Sequence, residues 1–180
     1  EVTAVFKGQL IDFDGHIERL EKTLAGISLP NPMSKDRWHA LHTEILRQNE
    51  IEEGLIYLQV SGGAYGFRDF AGPKTIAPTV FMFAVEKPLI SDMARDGASA
   101  ITLPDTRWVR RDLKTTQLLS QALAYRTAQD EGSFTAIMHE DGIITEAASA
   151  NVWIVNADGH LVTRHLSPSI LPGITRASAV

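Results

Sequence analysis

Two Asp-Gly pairs, Asp141-Gly142 and Asp158-Gly159, each sit between short apolar runs in the last third of the chain. Asp-Gly signals a tight hairpin, because both turn positions take a positive φ that few residues tolerate. The pairs predict antiparallel strands at 135–139, 143–146, 151–155 and 160–163. Another hairpin is predicted at the start, with strands 2–6 and 9–13 joined at Lys7-Gly8. Helical spacing follows: Ile17, Leu20, Leu24 and Ile27 share one face, and Asp14 is the expected cap. Pro30 and Pro32 end that segment. Ser34 then caps a second helix with Trp38, Leu41, Ile45 and Leu46 inward. Strands at 55–61 and 79–85 flank a glycine-rich stretch, 62–73, and a further strand is expected at 98–103. Residues 115–131 read as a helix with Leu118, Leu119, Ala122 and Leu123 buried and Gly132 as its stop. Meanders with a few helices predict an α+β chain, not alternating βαβ units.

Lys87-Pro88 is the expected boundary, dividing a small N-terminal α+β domain, 1–87, from a second domain, 88–180. The chain opens without Met on an apolar-rich stretch, and 174–180 reads as the first turns of a helix with no stop. Both ends are therefore expected to cut through secondary structure of a longer protein.

The formal charge of −5 argues against nucleic acid or an anionic membrane as the main partner, since both call for a basic face. No apolar run approaches membrane-spanning length. There is no Cys, which removes disulfide and thiolate chemistry. His39 and His42 are spaced i, i+3, but no third ligand accompanies them, so no metal site is expected.

A few residues could carry chemistry. Lys114 stands at a helix entrance against an apolar wall. Desolvation there would lower its pKa and favour the neutral amine that forms a Schiff base; an exposed loop lysine is the plainer reading. Glu146 ends an apolar strand and is followed by Ala147, Ala148, Ser149 and Ala150. Small residues let a flat ligand approach, and the carboxylate could pair with a protonated ring nitrogen; a solvated strand-end glutamate is the alternative. Gly173-Ile174-Thr175 opens the last helix, whose free N–H groups suit a phosphate, although many such helices bind nothing. Arg19 lies about 100° from Leu20 on its helix, at the edge of the buried face. It could reach a phosphate or pair with Asp14 or Glu21.

In order, Asp14-Gly15-His16-Ile17-Glu18-Arg19-Leu20, Ile56-Tyr57-Leu58-Gln59-Val60, Arg107-Trp108-Val109-Arg110-Arg111-Asp112-Leu113-Lys114, Ile144-Thr145-Glu146 through Asn151-Val152, and Ile170-Leu171-Pro172-Gly173-Ile174-Thr175-Arg176 resemble the class IV (fold-type-IV) aminotransferases. Within that family the chain looks most like the D-amino-acid transaminases. The resemblance implies pyridoxal 5′-phosphate as cofactor, in a cleft between two α+β domains of a cytoplasmic homodimer. It implies transfer of an amino group between an amino acid, such as D-alanine, and a 2-oxo acid. Lys114 matches the Schiff-base lysine, which also moves the proton. Glu146 matches the partner of the ring nitrogen. Arg19, Gly173, Ile174 and Thr175 match the phosphate cradle, Leu171 the residue against the ring face, and Ser149 a serine lining the pocket.

The family carries a further strand and a tyrosine before the position of Glu1, and continues well past Val180. On the substrate side, Arg68 matches a carboxylate-binding arginine if one residue is inserted, and Phe70 stands where a histidine is expected. A solvated loop arginine is the other reading of Arg68. A branched-chain L-amino-acid or (R)-amine transaminase and an aminodeoxychorismate-lyase-like enzyme are the neighbouring alternatives. A non-catalytic fragment or binding module is the alternative of a different class.

Overall fold

Lys7 and Gly8 both take positive φ, 52° and 69°, and so close a two-residue turn between β1 (Val2–Phe6) and β2 (Gln9–Leu10). The computed structural model describes residues 1–66 and 68–180. The described chain packs as two compact units, Glu1–Ser91 and Asp92–Val180.

In the first unit, β1 and β2 join β3 (Glu53–Ser61) and β4 (Thr79–Glu86) in an antiparallel sheet of order β2-β1-β3-β4. Alternation sends Thr3 and Val5 of β1, and Ile56 and Leu58 of β3, into the core. There they meet α1 (Phe13–Gly26) and α2 (Lys35–Asn49). Phe13, Ile17, Leu20, Leu24, Trp38 and Leu58 form one buried cluster; Val5, Leu46, Ile51 and Ile56 form a second. The Ser34 side chain caps α2 as expected, accepting from the Arg37 N–H at 3.3 Å.

Three local expectations change here. The second strand stops at Leu10 rather than running to 13. Asp12 turns into the left-handed region at φ 51°, so Phe13 enters the helix and reaches the core. Asp14 is consequently not the cap; it sits in the first helical turn, where its charge favours the helix dipole, and pairs with Lys35 at 2.8 Å. Ile27 lies past the helix end and is partly exposed.

The second unit holds a short α3 (Met93–Asp96), then β5 (Ala100–Pro104), α4 (Leu119–Asp130), β6 (Thr135–Glu140) and β7 (Ile143–Ala147). β5 and β6 run parallel, so α4 is their crossover, and β7 returns antiparallel through the Asp141-Gly142 turn. One βαβ unit is thus embedded in the α+β chain. β8 (Trp153–Val155) and β9 (Leu161–Thr163) form a separate hairpin. Its Asp158-Gly159 pair belongs to a longer connection, closed by the Asn156 N–H on the His160 carbonyl at 2.9 Å. The chain ends in α5 (Ile174–Ala179).

α4 is the clearest departure. Its buried residues are Ala124 and Ala128, packed with Ala136 and Met138 of β6 and with Ala148. Leu118, Leu119, Ala122 and Leu123 are exposed instead of buried. A crossover helix lying close on its sheet needs small side chains at the contact, so the alanine stripe wins over the leucine stripe. Among the described residues no helix is long and apolar enough to cross a membrane.

Candidate active site

β7 delivers Glu146 to the interior: Thr145, Glu146, Ala147 and Ala148 are buried in succession, and Glu146 is 4% exposed. A carboxylate so placed demands partners. On one side, the Arg107 guanidinium donates from Nη1 to Glu146 Oε1. On the other, Oε2 accepts from Asn151 Nδ2 at 2.9 Å and from the Leu171 N–H at 3.0 Å. The Asn151 amide also donates to the Leu171 carbonyl at 3.0 Å, tying the turn after β7 to the segment before α5.

Arg107 is itself held. Its Nε and Nη2 fork onto the two oxygens of Asp105 at 3.0 and 2.7 Å. The Asp105 side chain is fully buried and takes a further hydrogen bond from the Thr145 hydroxyl at 2.6 Å. Arg111 completes the cluster: it donates to the Glu140 carboxylate at 2.6 Å and to the Arg107 carbonyl at 3.2 Å, and stands 3.6 Å from Asp105.

These surroundings act differently on the two buried acids. Burial works to raise the Asp105 carboxyl, but hydrogen bonds from Arg107 and Thr145 prevail and bring it down to about 2. At Glu146 burial prevails: its pKa is raised above the ordinary carboxylate value, although Arg107 and the Leu171 N–H pull the other way. Glu146 is therefore the more readily protonated of the two.

Leu171, Pro172 and Gly173 run from this carboxylate to the start of α5. Gly173 is a steric requirement. A Cβ built there would lie 2.1 Å from Asn151 Oδ1, far inside contact. Gly173→Ala is expected to destabilise the protein by about 1–3 kcal/mol and to displace Asn151, read by thermal melting. A melting temperature equal to that of the unaltered protein would show that the turn accommodates a side chain.

The remaining candidates fall as follows. Lys114 is half-buried in the loop before α4, next to buried Leu113. Ser149 is exposed in the turn after β7 and shares a 2.5 Å hydrogen bond with the Tyr125 hydroxyl on α4. Ile174 is partly buried and Thr175 exposed at the first positions of α5. Arg19 belongs to the first unit. It is buried, and its partner is neither Asp14 nor Glu21 but Glu1, at 3.0 Å from Nε and 2.7 Å from Nη2. His16 Nδ1 lies 2.9 Å from the same Glu1 carboxylate. Arg68 is exposed, its guanidinium 4.7 Å from the Phe70 ring centre.

Arg107 and Asn151 lie inside the stretches that match the family without an assigned role, and Asp105 lies outside them. The signal is present in part: Asp-x-Arg shortly before Lys114, and an Asn five residues after Glu146. Nothing local says that the two meet.

The family model for amino-transferase class IV matches residues 1–180. A D-alanine aminotransferase from Listeria innocua is 35% identical over 178 residues, covering 98% of this chain and 61% of that protein. The chain thus spans about 61% of that relative's length. A protein from Mycobacterium tuberculosis, described as a hypothetical aminotransferase in PLP-bound form, aligns with a TM-score of 0.82 at 25% identity, covering 99% of this chain and 64% of that one. The branched-chain amino acid aminotransferase of Escherichia coli aligns with a TM-score of 0.87 at 22% identity, covering 99% of this chain and 62% of that one, which is a likeness of fold.

Proposed function

Since the chain belongs to the class IV aminotransferase family, we propose that the full-length protein moves an amino group between a D-amino acid such as D-alanine and a 2-oxo acid, with pyridoxal 5′-phosphate held covalently by Lys114. The observation that carries this reading is the state of Glu146. A carboxylate offers about four lone-pair positions; Arg107, Asn151 and Leu171 take three. One position is left on a buried anion, which suits a protonated ring nitrogen.

The other residues fit the same cofactor. Gly173 keeps the turn narrow before α5, where the first N–H groups lack helical acceptors and suit a phosphate. Leu171, whose N–H is already spent on Glu146, offers an apolar side chain to a flat ring. Ser149 and Thr175 supply hydroxyls; Arg19, which forks onto the Glu1 carboxylate, would have to exchange that anion for the phosphate to take the role the resemblance implies. When bound, pyridoxal phosphate supplies a carbonyl carbon for exchange with amines and a ring that accepts the electron pair from the donor Cα. Lys114 has the amine for the covalent link and, released from it, for moving the proton at Cα. Glu146 keeps the ring nitrogen cationic. Arg68 holds the donor carboxylate.

The D-alanine reading draws on the Listeria innocua relative. A homodimer is supported by the outer face of the first unit's sheet. There Tyr57 stacks on Phe83 at 5.0 Å and Phe81 is more than half exposed, an apolar surface a second copy would cover. A cytoplasmic setting accords with metabolic 2-oxo acids as acceptors.

The test uses the full-length protein. Borohydride reduction followed by peptide mapping should place the pyridoxyl label on Lys114, and a donor panel should show turnover of D-alanine with 2-oxoglutarate. A label on another lysine, or turnover of L-branched donors or chiral amines alone, would overturn the corresponding half of the reading.

A further inference from the structure

The cluster behind Glu146 is larger than a single ion pair needs. Two guanidiniums, Arg107 and Arg111, face three carboxylates, Asp105, Glu140 and Glu146. Glu140 is partly exposed and Arg111 answers it directly. That leaves Arg107 between Asp105 and Glu146, both buried, with one negative charge not neutralised by the cluster. The three nitrogens of the Arg107 guanidinium are divided: Nε and Nη2 serve Asp105, and Nη1 serves Glu146. A planar fork can bridge two acids in fixed geometry, and a lysine ammonium cannot do so with the same rigidity.

Resting on the reading of Glu146 as the ring-nitrogen partner, we propose that Arg107 is a positioning residue: clamped by Asp105, it fixes the Glu146 carboxylate so that its open lone pair meets the ring nitrogen of the cofactor. The uncompensated negative charge of the cluster is what a protonated ring nitrogen would neutralise. Arg107 occupies one oxygen of Glu146 and leaves the other with the Asn151 amide and the Leu171 N–H, so the carboxylate cannot rotate without breaking bonds on both sides. Asp105 acts one step further back. The Thr145 hydroxyl anchors it from the residue adjoining Glu146, which couples the clamp to β7 itself.

The experiment compares full-length wild type, Arg107→Met, Arg107→Lys and Asp105→Asn, each loaded with ring-15N pyridoxal phosphate. Two readouts are taken, the nitrogen NMR signal, which separates protonated from neutral ring nitrogen, and steady-state kinetics. Arg107→Met is expected to move the signal towards the neutral form and to lower kcat about 100-fold with little change in donor KM. Arg107→Lys should recover part of both, since it restores charge without the fork. Asp105→Asn, which leaves Arg107 charged but loosens the clamp, should fall between them, and it carries the test if Arg107→Met does not fold. Unchanged nitrogen signals with kcat within about twofold of wild type in the variants that fold would overturn the proposal. If wild type itself fails to carry the label on Lys114, it is the functional reading that has failed. A wild type labelled on Lys114, with variants indistinguishable from it, refutes the role of Arg107 alone.

Discussion

Lys114→Ala is expected to lower transamination by about 10⁴-fold while leaving the fold intact. The size follows from two losses at once: the covalent attachment and the group that moves the proton. The fold should survive because Lys114 sits half-buried in a loop, outside the packed clusters of the second unit. Circular dichroism and a melting curve close to wild type should accompany the lost turnover, and the borohydride-stable label should vanish. A variant that retains even a tenth of wild-type turnover would remove Lys114 from the chemistry.

Glu146→Gln is expected to cost both activity and stability. Glutamine keeps the shape and one acceptor oxygen but removes the charge. The ring nitrogen then loses its anionic partner, and turnover should fall by about 10²–10³-fold, the scale of removing one preorganised electrostatic contact. Arg107 keeps its fork on Asp105, but the glutamine NH2 must replace one oxygen that now accepts, and so faces Arg107 on one side or Asn151 and Leu171 on the other. Buried donors left without an acceptor cost about 1–3 kcal/mol, so the melting temperature should drop as well. The burial that raises the Glu146 pKa is part of the same balance: this anion is held by its neighbours against a site that disfavours charge. Full activity in the folded Glu146→Gln protein would sink the assignment, whereas a stability loss with unaltered kcat would reduce Glu146 to a structural role.

The two variants separate the covalent site from the charge cluster. Lys114→Ala tests the covalent site and leaves the charge cluster alone; Glu146→Gln disturbs the cluster and leaves the covalent site alone. If the cluster sets the ring nitrogen, Glu146→Gln and Arg107→Met should be less than additive in kcat when combined, because both remove one coupled device.

Local features were determined by the sequence itself. The Asp141-Gly142 and Lys7-Gly8 turns, the Ser34 cap and the inward face of α1 follow from neighbours within a few residues, where backbone preference and helical period act directly. Family order placed Lys114, Glu146 and Gly173-Ile174-Thr175 as candidates. Tertiary structure decided the rest. Periodicity shows that α4 has apolar stripes, but only the parallel pairing of β5 with β6 selects Ala124 and Ala128 over the leucines. Asp105 and Arg107 lie about forty residues from Glu146, and Leu171 lies twenty-five residues beyond it. A buried charge takes its partners from whatever segments the fold brings within about 3 Å. No pattern along the chain encodes that meeting, so the carboxylate was legible in the sequence and the clamp that aims it was not.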